Sequence, residues 1–117
     1  MEKEIVILDA NKKNCRELCA MLDEQNYKIV PKHSLNDLSK FIHEISCRLL
    51  ILDLDSISVD KNLFRKLKRN NPSLYIVGLS SRPFHPELEE AMSRHIYACL
   101  SKPVDEEELV YWVNSLI

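Results

Sequence analysis

Five short apolar runs recur along the chain: Ile5 to Leu8, Tyr27 to Val30, Leu49 to Leu52, Leu74 to Leu79 and Ile96 to Leu100. None alternates apolar with polar residues, so each reads as a strand buried on both faces. After each run, apolar residues return at helical spacing. These sets are Cys15, Leu18, Cys19 and Leu22; Leu35, Leu38, Ile42 and Ile45; Leu63, Phe64 and Leu67; Leu88, Ala91 and Met92; and Leu109, Trp112, Val113 and Leu116. The order is strand then helix, five times. Such alternation dictates an α/β fold, with a parallel sheet covered on both faces and right-handed crossovers. Two helix starts, Ser34-Leu35-Asn36-Asp37 and Asp105-Glu106-Glu107-Glu108, have the form of capping boxes. Gly78 is the single glycine, so turns are expected at Asn70-Asn71-Pro72-Ser73 and Ser81-Arg82-Pro83, where proline and Asx residues supply the bend.

Composition narrows the function. A length of 117 residues with 45% hydrophobic content supports one packed core and one domain over 1–117, which excludes most two-domain enzymes. A net charge of −2 leaves no global field for nucleic acid or an acidic membrane. The run Ile5 to Leu8 is too short for a signal segment or a membrane span, which favours a cytoplasmic address. Cys15, Cys19, Cys47 and Cys99 are too sparse for a disulfide scaffold and are expected as free thiols. With His33, His43, His85 and His95 they complete no Cys-x-x-Cys or His-x-x-x-His pair, and no zinc is assigned. Lys61, Arg65, Lys66, Lys68 and Arg69 crowd the third helix. No aromatic platform or recognition motif accompanies them, so they read as a solvated face, and direct nucleic-acid binding is not expected.

Polar residues stand where the apolar runs end: Asp9, Asp53, Ser80, and Ser101-Lys102-Pro103. Singly, a terminal Asp or Ser is common punctuation. On four strand ends of an open parallel sheet, however, they would share the crevice outside the carboxyl ends. Two acids, a hydroxyl and an amine suit phosphoryl chemistry. Asp53 would attack phosphorus to give an aspartyl phosphate, Mg2+ held by carboxylates would neutralise charge, and Lys102 and Ser80 would meet phosphoryl oxygens.

Ile5-Val6-Ile7-Leu8-Asp9, Leu50-Ile51-Leu52-Asp53, Leu79-Ser80-Ser81 and Leu100-Ser101-Lys102-Pro103 together resemble the motifs of receiver domains of the two-component response-regulator family, over essentially the full chain. The resemblance implies a (βα)5 flavodoxin-like sheet of order 2-1-3-4-5 and a cis bond before Pro103. It implies a signalling module rather than an enzyme, with Asp53 as phosphoacceptor for a histidine kinase or phosphotransfer protein. Mg2+ would be held by Asp9, Asp53 and the backbone carbonyl of Asp55. A partner surface, including a homodimer, would lie on the fourth helix, fifth strand and fifth helix, where Glu87, Glu89, Glu90 and Arg94 could pair with Glu106, Glu107, Tyr111 and Asn114. Any output domain would lie on another chain or outside this sequence.

Four positions depart from the family pattern. Ala10 stands where a second acid is usual, which predicts a weakened Mg2+ site. Ile57 replaces a common proline, Lys61 a glycine, and Cys99 the aromatic that reports activation. Two alternatives therefore stay open. One is a degenerate receiver that acts as an interaction module without phosphorylation. The other, less favoured, is a haloacid dehalogenase-like phosphatase, which Asp53-Leu54-Asp55 also resembles, with Asp53 as nucleophile and Asp55 as general acid and base.

Overall fold

In a computed structural model, the apolar runs form strands β1 (Glu4–Leu8), β2 (Lys28–Lys32), β3 (Leu49–Asp53), β4 (Tyr75–Ser80) and β5 (Ala98–Ser101). The structure describes residues 4–25, 27–82 and 85–117, without the side chains of Glu24 and Glu87. Pro83 of the expected turn and the Glu87 side chain thus lie outside the described residues. The helices are α1 (Lys12–Met21), α2 (Leu38–Glu44), α3 (Lys61–Asn70), α4 (Glu89–Arg94) and α5 (Glu106–Leu116). All strands are parallel, in the order β2-β1-β3-β4-β5. This is the expected flavodoxin-like arrangement.

Strand β3 is buried along its whole length, and its period of two divides the core. Leu50 and Leu52 join Val6, Leu8 and Ile76 under α2, α3 and α4. Leu49 and Ile51 join Ile5, Ile7, Val77 and Leu79 under α1 and α5. Each such side chain contributes about 1.5–3 kcal/mol when fully buried. Register then aligns the strand ends, pairing Leu8 with Leu52, Asp53 with Leu79, and Ser80 with Ser101. The polar residues that follow or close these strands consequently emerge along one edge.

Several boundaries differ from the sequence reading. Strand β2 begins at Lys28 and runs on through Pro31 and Lys32. Proline is tolerated there because β2 is an edge strand, with one row of N–H groups facing no neighbour. Strands β4 and β5 end at Ser80 and Ser101, the polar residues that close their apolar runs, but begin later than those runs, at Tyr75 and Ala98. The fourth helix is only six residues long and follows a 3₁₀ turn over Pro86–Leu88.

The two expected capping boxes also part ways. Asp105 accepts from the Glu108 N–H at 3.0 Å and caps α5. Ser34-Leu35-Asn36-Asp37 forms no such box, because α2 starts later, at Leu38, after Asp37 turns left-handed with φ 54°. Aspartate visits that region at lower cost than most residues, and its side chain makes no cap bond.

Gly78 sits at a close approach. A Cβ there would stand 3.0 Å from Cδ1 of Leu54, the residue after Asp53. Between the starts of β4 and β5 and helix α5, aromatic rings meet edge to face, Tyr75 against Tyr97 at 5.7 Å, Tyr97 against Trp112 at 5.8 Å and Tyr111 against Trp112 at 5.6 Å. Tyr97 and Tyr111 are nonetheless largely exposed.

The contrast between the two helix starts can be measured by urea denaturation. Asp105→Ala should lower the unfolding free energy by about 1 kcal/mol, whereas Ser34→Ala should change it by less than about 0.5 kcal/mol. Equal losses at both positions would mean that Ser34 caps after all.

Candidate functional site

The carboxyl edge of the sheet gathers Asp9 from the β1–α1 loop, Asp53 from the end of β3, Ser80 from the end of β4 and Lys102 from the β5–α5 loop. Asp9, Asp53 and Ser80 are almost wholly buried, at 1%, 2% and 2% exposure. The peptide bond between Lys102 and Pro103 is cis, as the resemblance implied. The Lys102 N–H donates to the Ser80 carbonyl at 3.1 Å, which ties the lysine loop to the end of β4.

Lys102 links the acids. Its Nζ lies 2.5 Å from Asp53 Oδ1 and 3.0 Å from Asp55 Oδ2. Burial alone would pull the lysine pKa down, but the hydrogen bonds and charges of the two carboxylates raise it above its ordinary value. Lys102 is therefore a fixed cation at neutral pH.

Asp9 is held from two sides. Its Oδ1 accepts from the Asn11 N–H at 2.8 Å and from Ser56 Oγ at 3.1 Å. Ser56 Oγ in turn accepts from the Ala10 N–H at 3.1 Å, so one hydroxyl stitches the β1–α1 loop to the β3–α3 loop. Burial raises the Asp9 pKa first; the Asn11 bond opposes this, and the negative charge of Asp53 adds to it.

Asp55 is the unexpected member. As a receiver, the chain was expected to use the Asp55 backbone carbonyl; the Asp55 side chain had a part only in the phosphatase alternative. Its side chain instead accepts from Ser80 Oγ at 3.1 Å through Oδ1, and from the Ser81 N–H at 2.9 Å through Oδ2. Burial disfavours its charge, but the Ser81 and Lys102 bonds outweigh burial and hold the pKa at about 2. Ser80 has a second partner that the sequence did not suggest. His85 is buried at 2% exposure, with Nε2 2.6 Å from Ser80 Oγ. A cluster of Asp, Ser and His near one strand end would have been the only sequence signal for these contacts, and it has no fixed spacing.

Asp9, Asp53 and the Asp55 carbonyl offer hard oxygens of the kind Mg2+ takes, and the repulsion between the first two carboxylates is what a cation would relieve. Among the described residues, no three acidic, histidine or cysteine side chains gather to hold a metal. The carboxylates of Asp9 and Asp53, close enough for the charge of one to raise the pKa of the other, are the side-chain oxygens available. The residues therefore fit Mg2+ with water and phosphoryl oxygens completing its shell. Beside them, Asp9, Lys102, Pro103 and Leu18 line part of a cleft of about 250 Å³.

Two other expectations change in detail. The basic face of α3 is partly tied down, with Arg65 bonded to both oxygens of Glu90 at 2.7 and 2.6 Å and Lys68 Nζ donating to the Leu74 carbonyl at 2.5 Å. Of the residues suggested for a twofold contact, Glu90 is thus engaged by Arg65, and Asn114 accepts from the Tyr27 hydroxyl at 2.6 Å. No helix among the described residues is long and apolar enough to cross a membrane.

The family model of the response regulator receiver domain matches residues 5–114. A response regulator from Thermotoga maritima superposes with a TM-score of 0.83 at 14% identity, covering 100% of this chain and 98% of its own. A two-component response regulator from Clostridium difficile gives 0.84 at 21% identity, covering 98% and 95%. A response regulator protein from Burkholderia pseudomallei, with a phosphorylated aspartic acid, a calcium ion and citrate, gives 0.76 at 18% identity, covering 93% and 65%. Likeness at these identities speaks to the fold. A search of curated protein sequences found no match.

Removing the cation tests the electrostatics directly. Lys102→Met should cost on the order of 2–3 kcal/mol near neutral pH, below the 3–5 typical of a fully buried pair because Lys102 is a quarter exposed. The depressed Asp55 pKa contributes stability above the unfolded carboxylate range, and that contribution is lost as pH falls toward about 2. Urea titrations at stepped pH should therefore show the gap between Lys102→Met and the native protein narrowing on acidification. A constant gap would place the lysine's contribution elsewhere.

Proposed function

The chain belongs to the response regulator receiver domain family, and on that premise we propose that it is a phosphorelay receiver in which Asp53 accepts a phosphoryl group from a histidine kinase or phosphotransfer protein. The observation that carries this reading is the Asp53 carboxylate, buried at the end of the central strand with the Lys102 ammonium 2.5 Å away. A buried carboxylate beside a fixed cation is shielded from water and has a partner in place for the charge that develops when it attacks.

In the reaction, a carboxylate oxygen of Asp53 attacks the phosphorus of a phosphohistidine. The new P–O bond forms as the P–N bond breaks, and its electron pair leaves on the imidazole nitrogen of the donor. Lys102 stays beside the developing charge, and the Ser80 hydroxyl and Ser81 N–H are the remaining donors at the same edge. Mg2+, when bound by Asp9, Asp53 and the Asp55 carbonyl, supplies further neutralisation of the phosphoryl oxygens. The phosphorylated aspartic acid and calcium ion in the Burkholderia pseudomallei protein support the same chemistry here.

The phosphatase alternative needs Asp55 to give up a proton. With its pKa held at about 2, Asp55 is a carboxylate at neutral pH and a poor general acid. Phosphorylation would act on the cytoplasmic partner surface of α4, β5 and α5. There the exposed Tyr97 and Tyr111 are better placed to meet a second copy or another protein than Glu90 and Asn114, which have internal partners.

Incubation with a small phosphodonor and Mg2+ should add one acid-labile phosphoryl group, read by intact mass. Asp53→Asn should abolish it, because an amide is a poor nucleophile. Ala10→Asp should return a hard oxygen ligand and lower the Mg2+ concentration for half-maximal yield by about tenfold. Modification that survives Asp53→Asn unchanged would remove Asp53 from its role. Acceptance by Ala10→Asp alone, with none by the native chain, would make this receiver an interaction module that works without phosphate.

A further inference from the structure

The donors that a phosphoryl group would need are already in use. Lys102 Nζ, Ser80 Oγ and the Ser81 N–H all converge on one carboxylate, that of Asp55, at 3.0, 3.1 and 2.9 Å. A phosphoryl group on Asp53 would present negatively charged oxygens to the same three donors.

Counting protons on Ser80 fixes how firmly this arrangement holds. A hydroxyl has one hydrogen to give and two lone pairs to offer. The Arg82 N–H donates to Ser80 Oγ at 3.0 Å, His85 Nε2 lies at 2.6 Å, and Asp55 Oδ1 lies at 3.1 Å. Asp55 is ionised and can only accept, so the hydroxyl proton goes to Asp55. His85 then donates from Nε2, and that tautomer is assigned by this count. With one bond given and two received, Ser80 is saturated. It cannot swing toward another acceptor without giving up the bond to Asp55.

We propose that the Asp55 side chain is a tethered occupant of the phosphoryl site, competing with the phosphoryl group on Asp53 for Lys102, Ser80 and the Ser81 amide. This inference rests on the phosphoacceptor reading of Asp53 and adds a regulatory term to it. Before phosphorylation, the tether holds Ser80 turned into the site. On phosphorylation, Asp55 must leave, because the phosphoryl group replaces the single charge of the Asp53 carboxylate with up to about two and its oxygens take the Lys102, Ser80 and Ser81 donors that hold Asp55. Asp55 is partly exposed, at 23% of its side chain, so its path out leads to water. Together with Ala10, this makes unphosphorylated and phosphorylated forms closer in free energy than in a receiver whose donors wait unoccupied. Apparent affinity for a phosphoryl mimic is the intrinsic affinity multiplied by the fraction of molecules in which Asp55 has vacated the site.

Beryllium trifluoride with Mg2+, which adds to an aspartate as a phosphoryl mimic, provides the probe, and fluorine NMR of the bound species provides the readout. Asp55→Ala keeps the backbone carbonyl and removes the competitor, so it should bind the probe at about tenfold lower concentration than the native chain. Asp55→Asn keeps an acceptor for Ser80 but lacks the charge that holds Lys102, and should fall between the two. Without the probe, the Ser81 amide should be protected from hydrogen exchange in the native protein and lose about tenfold of that protection in Asp55→Ala.

Binding by both variants that is no tighter than native binding would overturn the competition while leaving Asp53 as acceptor. Unchanged Ser81 protection in Asp55→Ala would overturn the tether itself. Failure of native and variant proteins alike to take up the probe, with Ser81 protection lost as expected, would instead overturn the phosphoacceptor reading and the competition that depends on it.

Discussion

A carboxylate at the end of a strand buried on both faces has to be neutralised in place, and Lys102 does this for Asp53. Strand β3 is the middle of the sheet and feeds both halves of the core, so it cannot shift to carry its terminal acid into water. An unpaired charge there would cost several kcal/mol, more than most single packing defects. The position of the β5–α5 loop follows from that need. Its lysine must reach across β4 to β3, and the Lys102 N–H to Ser80 carbonyl bond keeps the loop against the end of β4 while it does so. Ser56 plays a comparable part on the other flank, where its hydroxyl joins the loop after β1 to the loop after β3.

Much of this was legible in the chain itself. The five apolar runs announced a parallel sheet because burial on both faces leaves no polar positions to alternate. That holds for β1, β3 and β4, whereas the edge strands β2 and β5 keep exposed positions at Lys28, Pro31, Cys99 and Ser101. The residues that close those runs announced a shared crevice because a parallel sheet brings all carboxyl ends to one edge. Pro31 was harder to place, since an apolar-run criterion stops at proline and only the edge position of β2 shows why it continues. Ser34 misled for a local reason: the spacing of a capping box was present, but the left-handed Asp37 moved the helix start three residues on.

The side-chain contacts of Asp55, His85 and Ser56 were not legible, and the reason is general. Hydrogen bonds between loops have no period. Ser56 and Asp9 are 47 residues apart, and Asp55 and Ser80 are 25 apart. Nothing in local propensity links such pairs, whereas apolar packing repeats every two or every three to four residues and can be read from one segment. Asp55 is instructive because the receiver resemblance gave a task to its backbone and the phosphatase alternative gave one to its carboxylate, yet neither indicated the bonds to Ser80, Ser81 and Lys102. That carboxylate makes more polar contacts with the site than Asp53 does.

Trp112 is the chain's single tryptophan, and its ring meets Tyr97, just before β5, and Tyr111, its neighbour on α5. Its emission therefore has one origin and needs no deconvolution. An indole gripped edge-on by a residue from another element reports any slide of α5 against the sheet as a change in quantum yield and anisotropy. The polypeptide thus carries its own optical gauge on the face where a receiver would meet a partner, and complex formation there can be followed without attaching a dye.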